Sequence, residues 1–126
     1  MESEHSHDDL MKEVSEHLKD MFDKSQQSMY LYLDDSHKIC NKKFASLLGY
    51  KSSEEWAGVN KPFTETFVDS ASQETLVTTY QKSMEKLVGS SIDVIWKKKN
   101  GEKIKTKVIL VPFLFNGHLF ALHFIS

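Results

Sequence analysis

Near the start of the chain, apolar residues recur at intervals of three and four: Met11, Val14, Leu18 and Met21, with Leu10 and Phe22 widening the stripe. This spacing predicts an amphipathic helix over residues 8–25 with one side to bury. That side can pack on the rest of the same chain, or on the same stripe of a second copy, and the two are compatible. Two heptads are too few for a coiled coil by themselves.

Beyond residue 25 the pattern shortens. "SMYLYL", Ser28 to Leu33, is rich in aromatic and apolar residues and predicts a strand. The polar "DDSHK" supplies a turn, and Ile39-Cys40 predicts a second, very short strand. Asn41 is placed to cap a helix that Gly49 ends in the left-handed conformation. "SSEEW" predicts a second short helix, with a capping box from Ser52 to Glu55 and Gly58 as its end. Pro62 and Phe63 then open an irregular connection. Asp69 or Ser70 is expected to cap a longer helix over 71–88, with Leu76, Tyr80, Met84 and Leu87 on one face and Gly89 as its stop.

The remainder predicts three strands separated by Asn100-Gly101 and Asn116-Gly117, the dipeptide that most strongly signals a hairpin. If both turns are two-residue loops, counting fixes the register. Ile95, Ile104, Val108, Leu110, Leu114, Leu119, Ala121, His123 and Ile125 then share one face. Ile92, Val94, Trp96, Ile109, Val111, Phe113, Phe120, Leu122 and Phe124 share the other. Both faces are apolar, where an antiparallel sheet commonly leaves one wet, so both need a cover. The inner helices can cover one. The N-terminal helix, a second subunit, or both must cover the other.

The order of these elements, and the stretch "ICNKKFASLLGYKSSEEWAG" with "DVIWKKKNGEKIKTKVILVPF", resembles the PAS domain family over about Gln26 to Ser126. The resemblance implies an α+β fold with a five-stranded antiparallel sheet in the order 2-1-5-4-3 and helices on one face. Residues 1–25 then form a capping or dimerisation helix, and residues 26–126 the core domain. It also implies a sensor and interaction module in signal transduction, acting through homodimerisation and a signalling protein partner. The Asp-Ile/Val-Thr element that commonly couples such a sheet to an output helix is absent by Ser126. Output in trans, or excision from a longer protein, is therefore expected.

Composition narrows the chemistry. Hydrophobic residues at 40% against 27% charged describe a globular chain, and 126 residues favour one domain. All 16 basic residues are lysines, and the net charge is −2, which argues against nucleic acid as a partner. Lysines 97, 98, 99, 103, 105 and 107 crowd one hairpin, and are read as keeping an edge soluble. The acidic start and the absence of a long apolar run predict a cytoplasmic protein without membrane contact. Cys40 is the sole cysteine, so no internal disulfide or thiolate metal site can form. His5, His7, Asp8 and Asp9 are read as an unstructured acidic start rather than a metal site. No catalytic constellation is present, so no enzyme is expected.

Against the cofactors of the resembled family, haem is disfavoured because no histidine lies between Val59 and Leu114. Photoactive flavin is disfavoured because the family's Asn-Cys-Arg motif is missing. A small apolar ligand remains open. The expected pocket comprises Phe44, Leu47, Leu48, Trp56, Phe63, Phe67, Leu76, Tyr80, Ile95, Leu110 and His123, unless these side chains fill it themselves. The expected dimer surface comprises Met11, Val14, Leu18, Met21 and Phe22 with Trp96, Phe113, Phe120 and Phe124.

Overall fold

The computed structural model describes residues 3–126, and side chains from His7 onward. Helix α1 (Ser3–Lys24) leads into β1 (Ser28–Asp34) and β2 (His37–Cys40). Three one- to two-turn helices follow: α2 (Lys42–Leu47), α3 (Ser53–Ala57) and α4 (Phe63–Phe67). The long helix α5 (Ser70–Lys86) precedes β3 (Ser90–Lys97), β4 (Lys103–Phe115) and β5 (His118–Ile125). The five strands form one antiparallel sheet in the order β2-β1-β5-β4-β3. The start expected to be unstructured is thus helical from Ser3, and the connection after Pro62 coils into α4.

Asn41 does more than cap a helix. Its Oδ1 accepts from Phe44 N at 3.0 Å and from Met29 N at 3.1 Å, while Nδ2 donates to the Gln27 carbonyl at 2.9 Å. One buried amide therefore starts α2 and ties it to β1, which is why strand, helix and turn fit into so few residues. Gly49 adopts φ +86, the left-handed conformation that only glycine takes without strain. Ser52 caps α3 by accepting from Glu55 N, and Asp69 caps α5 by accepting from Ala71 N. Helix α5 ends on Leu87 at φ 56, two residues before the expected Gly89.

The register of β3 differs from expectation. Lys97 pairs with Lys103, whereas a two-residue Asn100-Gly101 loop would pair Lys99 with Glu102. Gly101 alone has positive φ in this turn, Lys98 N donates to the Glu102 carbonyl, and Asn100 Oδ1 accepts from Glu102 N. This is the three-residue loop with a glycine bulge. The one-residue shift turns β3 over. Ile92, Val94 and Trp96 consequently join the inner face, and Ile95 moves to the outer one. At the second turn Asn116 and Gly117 both have positive φ, and Phe115 pairs with His118 as counted.

Two apolar clusters sandwich the sheet. On the inner face, Tyr30, Phe44, Leu48, Trp56, Phe67, Val94, Trp96 and Val108 pack together under the small helices. On the outer face, Leu10, Val14, Leu18 and Phe22 of α1 cover Met29, Leu31, Phe120 and Leu122, with Phe113 and Phe124 at the margin. Helix α1 thus packs on its own chain. Burying four such side chains is worth on the order of 6–12 kcal/mol gross.

Candidate functional site

A cavity of about 270 Å³ lies between the inner face of β1 and β5 and the helices α4 and α5. Alternation along β1 aims Tyr30 and Tyr32 at it, and β5 adds His123. Phe63 and Thr64 come from α4, and Leu76, Val77, Tyr80 and Gln81 from consecutive turns of α5. Asp35 anchors the mouth: its Oδ1 accepts from the Tyr32 hydroxyl at 3.0 Å and from Phe63 N at 3.1 Å. That pair of bonds fixes α4 against the β1–β2 turn.

The lining is aromatic and mostly uncharged. His123 is 2% exposed and stacks on Tyr30 with ring centroids 3.9 Å apart. Its Nδ1–H donates to the Ala121 carbonyl at 3.1 Å, since a carbonyl can only accept. Burial pushes the imidazole down to about 3, so it is neutral at physiological pH. Burial raises the phenols of Tyr30, Tyr32 and Tyr80, and for Tyr32 the hydrogen bond to Asp35 adds to the effect. The walls thus offer ring faces and neutral hydrogen-bonding groups, with the Asp35 carboxylate at the mouth.

Of the residues expected to line a pocket, Phe63, Leu76, Tyr80 and His123 do so. Phe44, Leu48, Trp56, Phe67 and Leu110 are buried without lining the cavity, and Leu47 is half-buried beside the inner cluster. Ile95 lies on the opposite face because of the β3 shift. Tyr30, Tyr32 and Asp35 escaped the sequence reading, although the alternation in "SMYLYL" carries the two tyrosines.

The other candidates resolve similarly. Cys40 is buried, which pushes its thiol up to about 12 and removes thiolate reactivity. Trp96, expected on the dimer surface, is fully buried in the inner cluster. Val14, Leu18, Phe22 and Phe120 are buried within the chain, Met11, Phe113 and Phe124 are half-buried, and Met21 is exposed. The lysine-rich hairpin is substantially neutralised. Lys98, Lys99, Lys103 and Lys107 pair with Glu102, Glu55, Asp69 and Asp93, and Lys97 donates to the Glu65 carbonyl. The His5 side chain lies outside the described residues.

No family model matches the chain, and no curated protein matches its sequence. Solved structures do match it. The PAS domain of an HTR-like protein from Haloarcula marismortui is 18% identical, covers 97% of this chain and 98% of its own, and has a TM-score of 0.63. The PAS domain of a protein from Colwellia psychrerythraea is 16% identical over 90% of this chain and 95% of its own, with a TM-score of 0.69. The chain has the PAS fold. VqmA bound to DPO shares this fold at 12% identity, over 87% of this chain and 55% of its own, with a TM-score of 0.66. Among the described residues, no helix is long and apolar enough to cross a membrane.

Proposed function

We propose that this PAS domain is the sensory module of a signalling system, and that its input is a small, uncharged, largely flat molecule held in the cavity. The observation that carries this reading is the cavity itself: aromatic walls with hydrogen-bonding groups converging from Tyr32, Asp35, Thr64, Gln81 and His123. Its volume of about 270 Å³ falls just below the 300–1,000 Å³ common for drug-sized ligands, which suits a small metabolite better than a porphyrin or flavin. VqmA, which shares this fold over 55% of its own chain, was solved bound to DPO, and the reading extends such binding to this chain.

Occupancy would press on α4 and α5 and, through β1 and β5, on the outer face beneath α1. We read the output as a change in homodimerisation or in docking of a signalling protein there. Ile109 at 45% exposure and Met21 at 40% leave apolar surface beside the helix for such a contact. The reading assigns the domain a binding role rather than a catalytic one.

Native mass spectrometry of the purified chain, followed by a metabolite screen read as thermal shift, tests the proposal. A bound mass or a saturable stabilisation is expected. It fails if no compound stabilises the native chain more than a Val77→Trp variant, which sets an indole at the cavity wall.

A further inference from the structure

Three of the six histidines, distant in sequence, meet where the start of α1 crosses the β1–β2 turn and the start of β5. The ring centroids of His7 and His37 are 5.3 Å apart, and those of His7 and His118 are 5.7 Å apart. Asp34 Oδ1 lies 2.8 Å from His37 Nδ1 and also accepts from Ser36 N, while Asp8 Oδ1 lies 3.5 Å from His37 Nε2. His7, Asp34 and His37 each offer a ligand atom, all within 4.8 Å of one another, and all three are half-buried.

We propose that His7, Asp34 and His37 form a site for a borderline divalent transition metal, with zinc as its type, and that His118 beside His7 completes the shell. Zinc held at about 2.0–2.2 Å by nitrogen and oxygen places tetrahedral ligand atoms about 3.4 Å apart. The three groups therefore need to close by about 1.4 Å at most, within the reach of side-chain rotation. Coordination replaces the direct Asp34–His37 hydrogen bond. An ion pair alone would need only Asp34 and His37, and gives no reason for His7 and His118 to sit edge-on beside them.

The donor set decides the metal class. Two imidazoles with a carboxylate and no thiolate suit zinc and its neighbours, whereas magnesium and calcium select all-oxygen shells. The site joins three segments, so the ion would fasten the start of α1 to the sheet and oppose its release from the outer face.

The test is calorimetric titration of the metal-stripped full chain with zinc chloride, with magnesium chloride as control. One zinc per chain and no magnesium binding are expected. His7→Gln and His37→Ala should each weaken zinc at least tenfold. His17→Ala, whose ring packs on Phe115 elsewhere on α1, should leave the affinity unchanged. Zinc should raise the melting temperature of the unaltered chain and leave that of the His7→Gln chain in place. His7→Gln preserves the helix and decides the matter if His37→Ala does not fold. Absence of saturable zinc binding, unaltered affinity in His7→Gln, or an equal loss in His17→Ala overturns the proposal.

Discussion

Replacing His123 by phenylalanine should remove most of the pH dependence of stability between pH 7 and pH 5. In the folded chain the imidazole is neutral because burial holds its pKa near 3, against about 6.5 when unfolded. Below about pH 6.5 the unfolded chain binds a proton that the folded chain refuses, so folding weakens as the pH falls. The loss approaches about 1.4 kcal/mol per pH unit, or on the order of 2 kcal/mol by pH 5. Above pH 6.5 it is absent. Phenylalanine retains a ring to stack on Tyr30, and any packing penalty is the same at every pH. Carboxylates such as Asp69, which Lys103 holds below its usual range, also destabilise the fold in acid, but equally in both chains. The assay is urea unfolding by circular dichroism at pH 7, 6 and 5, comparing the two chains. The reasoning is refuted if their stability difference stays constant across that range.

Further outcomes follow from other buried groups. Asn41→Ala deletes the α2 cap and leaves Met29 N and the Gln27 carbonyl without their partner, so urea unfolding should show a loss of about 2–4 kcal/mol. Lys38 is only 3% exposed and donates to the carbonyls of Asp35, Ala57 and Val59, so Lys38→Met should cost about 2–4 kcal/mol in the same assay. Val14→Asp buries a charge beneath α1 and should loosen the helix, read as dye binding to the exposed outer face and faster amide exchange in residues 3–24.

The fold was legible because its signals are local. Asn41, Ser52, Gly49 and Asn116-Gly117 each dictate a cap or turn through their own backbone chemistry, and α1 shows its face through spacing. The β3 register was not legible. Asn100-Gly101 and Asn116-Gly117 read alike, yet Asn100 stays out of positive φ and the first loop gains a residue, so Trp96 and Ile95 exchange faces. The cavity was half legible, because strand alternation and helix period place His123, Leu76 and Tyr80 on inner faces. Which inner residues pack solidly and which border a gap depends on how α4 and α5 approach the sheet. Asp35 sets that approach from a turn. The histidine cluster was not legible either, since residues 7, 37 and 118 meet only through tertiary packing.

The most direct test of the sensor reading is native mass spectrometry of the chain purified from cells, run beside Val77→Trp. One added small-molecule mass per chain is expected, released on denaturation and missing from the variant. A bare chain that no metabolite mixture loads, or a mass retained equally by Val77→Trp, would contradict it.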